Sequence, residues 1–439
     1  MQVSVETTSA LERRLTIAIP AARVQEAIDR RIRDVAPKVK LDGFRSGKVP
    51  VHVVRQRFGD DIRQEVLGDL MSSSFQEAVI QEKLKPAGRP MVEPRQMAKG
   101  KDFSFTAVFE IYPEISVKDL SGVAISRAET SISDADVDEM ISILRKQRAT
   151  HEVTDGAVAA LGDKVNIDFD GFREGVAFEG GKAEQSDLVL GSKSMIPGFE
   201  DGLVGLKAGD EKELSLTFPA DYHAEHLKGA SVVFKVRVNS VAKEQMPALD
   251  SKFMESFGVK DGSEETFRNE VRKNMERELR QAKQSHLKKQ VIDALLERNQ
   301  FDIPGSLVQQ EIGFLRNQML QQFGGAERLQ NMDLGKIFPD QMFSAQAERR
   351  VSLGLLFSRL IESSGLKAEP AKVREAVEEL ASAYEDRDEV VDYYYGDRKN
   401  LAQVEAMVLE DLVIAKVLES AAVSDQKLGY QELMRLVGK

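Results

Sequence analysis

Eight consecutive residues carry the first chemistry in the chain. Gly43, Phe44, Arg45, Ser46, Gly47, Lys48, Val49 and Pro50 set one aromatic and two cations between glycines. An exposed Phe flanked by Arg and Lys is costly on a lone solvated loop, but it suits a surface that meets RNA phosphate and a protein pocket together. Lys38, Lys40, Arg55 and Arg57 lie nearby and raise the local positive field. The competing reading is a glycine-rich turn whose Phe folds back onto the core. A second set lies further along: Met319, Leu320 and Phe323, then Phe338, Met342 and Phe343, beside Gln-rich and charged stretches. Soft Met side chains suit promiscuous binding of unfolded segments. A Met stripe at helical spacing can equally be core. The triplet Tyr393, Tyr394 and Tyr395, beside Asp392 and Asp397, reads as packing between helices.

Other chemistries are set aside by composition. The chain has no cysteine, and its five histidines show no H-E-x-x-H spacing, so neither a metal site nor any other cofactor is expected. No apolar run reaches bilayer length, so no membrane partner is expected. The first residues, MQVSVETTSALERR, lack the basic and apolar regions of a signal peptide, which places the protein in the cytoplasm as an expectation. Charge is uneven. Residues 1–112 hold 19 Lys and Arg against 15 Asp and Glu, whereas the whole chain is at −11. A slightly basic head on an acidic body fits docking at one end to something negative. A pI of 5.3 with a single small basic patch argues against DNA or general RNA affinity.

These residues need elements to position them. At 439 residues the chain exceeds one usual core, so several domains are expected. Residues 1–112 read as α+β. Val3 and Val5, then Leu15, Ile17 and Ile19, and later Phe103, Phe105, Ala107, Phe109 and Ile111, alternate as strands do. Between them, Val24, Ile28 and Ile32, and again Ile62, Val66 and Leu70, follow helical spacing, which puts the Gly43–Pro50 loop at the tip of a helical hairpin. Residues 113–150 read as a packed connector with a helix starting at Ser133 and Asp134. Residues 151–245 break into short β runs cut by glycines, V-N-I-D-F-D, L-S-L-T-F and S-V-V-F-K-V-R-V-N, a compact β-rich module. Residues 246–439 read as nearly all helical. They open with Asp261 and Glu264 in capping-box spacing before a charged helix of about 35 residues, whose length points to a projecting arm. Pro304 and Pro370 start further helices.

Two stretches carry resemblances. G-F-R-x-G-K-x-P at 43–50, with its flanking helices, resembles the ribosome-binding signature of the trigger factor family of chaperones. The resemblance implies that Gly43, Phe44, Arg45, Gly47, Lys48 and Pro50 form the docking loop, with Phe44, Arg45 and Lys48 touching large-subunit protein and rRNA beside the exit tunnel. Ser46 stands where relatives often have a third cation. The middle stretch, N-I-D-F-D-G-F-R-E-G-V-A-F-E-G-G with I-P-G-F-E-D-G-L, G-L-K-A-G-D and F-P-A-D-Y, resembles FKBP-type prolyl isomerases from Gly162 to Val241. By that resemblance Phe169, Phe178, Glu179, Met195, Ile196, Phe199, Tyr222 and Phe234 make the proline site. Phe199 stands where FKBPs commonly have Trp, and Glu179 where they have Asp. Read without the resemblance, the same aromatics could be the core of a small half-open sheet.

The resemblance implies a multidomain α+β chain: a ribosome-binding α+β domain, an FKBP-like sheet-plus-helix domain, and an all-α body with arms. Expected partners are the large ribosomal subunit and nascent or unfolded polypeptides, with homodimer formation off the ribosome. The family's links to cell division and protein transport follow as expectations. Met319, Leu320, Phe323, Phe338 and Met342 are the candidate client contacts. The alternative is a free cytosolic isomerase whose flanking domains bind substrate only.

Overall fold

The computed structural model describes residues 1–41, 44, 49–222, 224–322, 337–382, 384 and 386–438. The backbone forms two compact units, 1–127 with 286–426, and 128–285 with 427–439.

In the first unit, strands β1 (Gln2–Thr7), β2 (Glu12–Ile19), β3 (Pro86–Gln96) and β4 (Phe103–Ile111) form an antiparallel sheet ordered β1-β2-β4-β3. The register pairs Leu15 with Ala107, Ile17 with Phe105 and Ile19 with Phe103, so period-two alternation sends all six to one face. Helices α1 (Ala21–Val35) and α2 (Val51–Gln81) cover that face with Val24, Ile28, Ile32, Ile62, Val66 and Leu70. Phe75 meets Phe109 edge-on at 5.2 Å. Every member of this core comes from the first 111 residues, so the head carries its own hydrophobic centre.

A clasp at one helix start joins the helical part of the same unit to the head. Helix α7 (Gly305–Gln322) begins against the Glu110 carboxylate, which accepts the N–H groups of Gly305 at 2.9 Å and Ser306 at 2.7 Å. A carboxylate there meets the positive end of the helix dipole. Burial pushes the Glu110 carboxyl up, but these hydrogen bonds hold it below the usual range. The Ser306 hydroxyl donates to the Ala87 carbonyl at 2.6 Å, and a Cβ on Gly88 (φ +90°) would lie 2.7 Å from Ser306 Cβ. Helix α8 (Gln341–Ser364) pairs with α7 around Ile312, Leu315, Leu320, Phe338, Phe343 and Ala347. Helices α9 (Pro370–Ala381), α10 (Arg387–Gly396) and α11 (Arg398–Leu418) pack around Val373, Val377, Val404 and Val408.

The region after Pro247 is nearly all helical, with one strand, β11 (Ala422–Lys427), which pairs with β5 (Ala124–Glu129). Three expectations change here. The long helix α6 (Glu264–Arg298) is not a free arm. Phe267, Val271, Met275 and Leu279 are core residues in its first half, and Val291 and Leu295 in its last. Its cap is Ser263, whose hydroxyl accepts from the Thr266 N–H, while Asp261 binds the Ser263 N–H and the Thr266 hydroxyl. The tyrosine triplet splits as well. Tyr394 packs against the helix cluster, whereas Tyr393 and Tyr395 are 63% and 43% exposed, because α10 is a short surface helix with no buried residue.

The second unit holds helix α3 (Asp134–Gln147), which opens with a capping box between Ser133 and Asp136. It also holds the β-rich module. Strands β6 (Thr150–Val153), β7 (Lys164–Arg173), β8 (Val176–Val189), β9 (Glu211–Thr217) and β10 (Ser231–Gln245) form one antiparallel sheet. The 15-residue β10 pairs with β7 on one side, and with β9 and β6 on the other. Helix α4 (Phe199–Leu203) packs against it near β9.

Candidate functional site

Phe169 on β7 and Phe234 on β10 are brought to one face of the sheet by the strand register, which sets Phe234 opposite Gly171 and Phe169 opposite Val236. The missing side chain at Gly171 makes room. A Cβ there would lie 2.7 Å from the Phe178 ring and 2.8 Å from Phe234, and one on Gly181 would lie 2.8 Å from Phe178. The F-D-G-F and F-E-G-G spacing therefore seats Phe178 between two glycines.

Phe199, at 0% exposure, is the floor. Its ring meets Phe234 at 5.3 Å and Phe169 at 5.6 Å, both edge-on, a favoured aromatic geometry. Phe178 meets Phe234 at 5.9 Å and Phe218 at 6.0 Å, and Phe218 meets Tyr222 at 4.6 Å. These rings, with Met195, Ile196 and the exposed Glu179, line a cup of about 520 Å³. All eight residues expected at the proline site are thus gathered in one concavity. Sequence reading left Phe218 without a role and passed over Pro197, Pro219 and His226, which also line the cup. The F-P-A-D-Y run was the available signal for Phe218 and Pro219, since Phe218 and Tyr222 flank one turn in which the Tyr222 N–H bonds the Pro219 carbonyl at 3.2 Å.

Glu200, one residue beyond the floor, is buried and was also missed. Its carboxylate accepts the N–H groups of Gly191 (2.7 Å), Ser194 (2.9 Å), Lys193 (3.1 Å) and Met195 (3.2 Å), and the Ser192 hydroxyl (3.2 Å). It gathers the loop that delivers Met195 and Ile196 to the rim. Burial pushes the Glu200 carboxyl up, but hydrogen bonds from Lys193, Gly191, Met195 and Ser192 bring it below the usual carboxylate range. A depressed pKa stabilises the fold above the unfolded value of about 4.3 and ceases to do so as pH falls through the folded value. Glu200→Gln is expected to lower the melting temperature at pH 7, by loss of about 1.5–3 kcal/mol of charge-assisted bonding. The gap to wild type should shrink as the pH drops below 4, and isomerase activity at pH 7 should fall severalfold. Equal melting temperatures at pH 7 would remove Glu200 from this positioning role.

The cup has the chemistry that rotation about an X-Pro bond requires. Amide resonance sets a barrier of about 18–20 kcal/mol. The planar ground state is the more polar one, so an apolar aromatic cavity that grips proline and strips water from the imide favours the twisted state. No nucleophile is needed, and among the described residues no group of His, Asp and Glu could hold a metal.

The other candidates are dispersed. Phe44 is 40% exposed, and Pro50 precedes α2 with its carbonyl accepting the Val53 and Val54 N–H groups. Gly43, Arg45, Gly47 and Lys48 lie outside the described residues, as does Phe323. Leu320 and Phe338 are buried, at 6% and 8%, so they are corrected to core of the α7–α8 pair and offer no surface to a client. Met319 is partly buried against that core, and Met342 is 60% exposed. Phe314, passed over in the sequence, is 55% exposed under Arg350.

Comparison with known proteins follows the same division. A family model described as bacterial trigger factor protein (TF) matches residues 1–144, and one described as its C-terminus matches 264–419. A model of FKBP-type peptidyl-prolyl cis-trans isomerase matches residues 156–239. The trigger factor of Cellvibrio japonicus (strain Ueda107) is 50% identical over 435 residues, 99% of both chains. That of Teredinibacter turnerae (strain ATCC 39867 / T7901) is 48% identical, over 99% of this chain and 98% of its own. A solved structure described as "Promiscuous Substrate Recognition in Folding and Assembly Activities of the Trigger Factor Chaperone" aligns with TM-score 0.50 at 18% identity, covering 95% of this chain and 99% of that one. At that identity the likeness speaks for the fold.

Proposed function

The chain belongs to the trigger factor family, and on that premise we propose that it docks beside the exit tunnel of the large ribosomal subunit, holds emerging polypeptide on its helical surfaces and isomerises X-Pro bonds in the Phe199 cup. It is a chaperone with an FKBP-type peptidyl-prolyl isomerase domain. The observation that carries the isomerase assignment is the closed set of edge-on rings around Phe199, which supports a role for Phe169, Phe178, Glu179, Met195, Ile196, Phe199, Tyr222 and Phe234 in gripping proline.

The functional divisions in this reading are 1–112 for docking, 113–150 as connector, 151–245 for isomerisation and 246–439 for holding clients. The exposure of Phe44 supports a docking tip in which Phe44 enters a protein pocket, while Arg45 and Lys48 meet rRNA phosphates. The self-contained core of the head supports its acting as a rigid base. Docking to ribosomes places the protein in the cytoplasm. Among the described residues no helix is long and apolar enough to cross a membrane. Exposed Met342 and Phe314 support client contact at the α7–α8 pair, and off the ribosome the same apolar surfaces are covered in a homodimer.

Replacing Phe44, Arg45 and Lys48 together with Ala should abolish co-sedimentation with 70S ribosomes while leaving the circular dichroism spectrum unchanged. Undiminished co-sedimentation of that folded variant would remove the loop from docking.

A further inference from the structure

The wall of the cup that carries Phe178 and Glu179 is not held by regular strand pairing. Strand β8 has 14 residues against 10 in its partner β7, so four residues of β8 must leave the ladder. The register shows where. Gly171 alone faces the run Phe178–Gly181, and Asp168 alone faces Glu184 and Gln185. Between these two irregularities only Phe169 with Ala183 and Asp170 with Lys182 pair directly. Strand β10 is irregular at the same level on the other side of β7, where Asn239 is the extra residue between Val238, opposite Ile167, and Ser240, opposite Asn166. Asp168 therefore lies beside a bulge on each of its two neighbouring strands.

Its carboxylate joins the two. Oδ1 accepts the backbone N–H of Gln185 at 2.7 Å and the side-chain amide of Asn239 at 2.8 Å. The Asn239 amide also donates to Asn166 Oδ1 at 3.1 Å, and the Asn166 amide donates to Asp187 Oδ1 at 2.8 Å, so the polar chain runs on past the bulge. The Gln185 N–H, and after it the Asn239 amide, hold the Asp168 carboxyl below the usual carboxylate range. Gln185 has φ +50°, a left-handed conformation disfavoured for an L side chain. Lys193, at φ +58°, has the same conformation, and its N–H is held by Glu200 at 3.1 Å in the loop that delivers Met195 and Ile196. The module thus fixes two strained backbone positions with carboxylates, and each lies in a segment that supplies the cup. Such a conformation persists only where its surroundings fix it, and it clusters at functional sites.

We propose that Asp168 is a positioning residue of the isomerase: by holding the Gln185 bulge it fixes the register of β8, and so sets Phe178 and Glu179 in the wall of the cup. The inference rests on the isomerase reading of that cup. Alternation along β7 sends Phe169 into the cup and Asp168 to the opposite face, so Asp168 acts through register and not through contact with substrate. Without the bulge, the shortest route back to regular pairing is a slip of one residue. That slip turns Ala183 and Lys182 to the wrong faces and moves the segment carrying Phe178 by about 3.3 Å. Misplacement by about 1 Å can already cost about 100-fold in rate.

The test compares the full-length protein with Asp168→Asn, Asp168→Ala and the double variant Asp168→Ala/Gln185→Gly, by kcat/KM on an Ala-Leu-Pro-Phe peptide and by melting temperature. Asp168→Asn keeps an acceptor oxygen and should stay above Asp168→Ala, which should lose at least about fivefold in kcat/KM. Glycine adopts positive φ readily, so at position 185 it keeps the bulge without a carboxylate, and the double variant should return to within about twofold of wild type. A residue acting through its charge or through substrate contact would not be rescued in this way. Should Asp168→Ala be unfolded at the assay temperature, the double variant carries the test, since Gln185→Gly should restore folding and activity together. Wild-type activity in Asp168→Ala would overturn the proposal, as would a loss that Gln185→Gly leaves unrepaired. Wild type and Phe199→Ala in the same assay separate the two readings. No wild-type activity, or full activity in Phe199→Ala, defeats the cup, whereas a Phe199-dependent rate with Asp168→Ala as fast as wild type defeats the role of Asp168 alone.

Discussion

Phe199→Ala should lower kcat/KM on an Ala-Leu-Pro-Phe peptide by at least about tenfold, a loss of about 1.4 kcal/mol of transition-state stabilisation. The ring is fully buried and edge-on to both Phe169 and Phe234, so truncation opens the floor, admits water beneath the imide and frees two neighbouring rings. Water in the cup restores solvation to the polar planar amide, which the apolar cavity otherwise disfavours. A buried Phe→Ala change also costs about 3–5 kcal/mol of stability. Activity is therefore compared at a temperature where circular dichroism shows the variant folded, and Phe199→Leu, which keeps most of the volume, should lie between the two. Full activity in folded Phe199→Ala, or an isolated 150–245 fragment with no isomerase activity, would defeat the assignment.

Removal of residues 246–439 should abolish most suppression of aggregation of a refolding, proline-poor client, whereas excision of 151–245 should leave most of it. Holding an unfolded chain needs apolar area spread over a broad surface, and a single cup of about 520 Å³ supplies a grip for one proline. Both deletions are structurally reasonable. Thr150 and Gln245 are direct partners across the β6–β10 pairing, so a short flexible linker can rejoin the ends of the excised module. In the C-terminal truncation the head keeps its whole core, since that cluster draws on no residue beyond Ile111. Light scattering of a diluted denatured protein, with each variant at equal molarity, is the measurement. Protection lost with the middle module and kept after the helical truncation would reverse the reading.

Much of the architecture was legible because it rests on local rules. Alternation in Leu15, Ile17 and Ile19 and in Phe103, Phe105 and Phe109 placed two strands with their buried face, and Ser133, Pro304 and Pro370 marked helix starts, since caps and fixed φ act within one turn. Most aromatic residues of the cup, Phe218 excepted, were legible too, but through a motif resemblance. Spacing alone could not tell a pocket ring from a core ring, because a half-open sheet uses the same alternation for both.

What the sequence by itself determined about this protein is therefore its division into an α+β head, a β-rich module and a helical remainder, and the absence of thiol chemistry. Tertiary structure alone decided which residues face water. Leu320 and Phe338 went into the α7–α8 core while Met342 stayed out, Tyr394 packed while Tyr393 and Tyr395 did not, and the last strand returned across about 300 residues to pair with β5. It also decided that Glu200 would bind four backbone N–H groups, and that Asp168 would hold the Gln185 N–H and the Asn239 amide. The physical reason is the same in each case. Burial and electrostatic partnership depend on what the rest of the chain brings alongside, and that neighbour is set by long-range packing, which periodicity along a single segment does not encode.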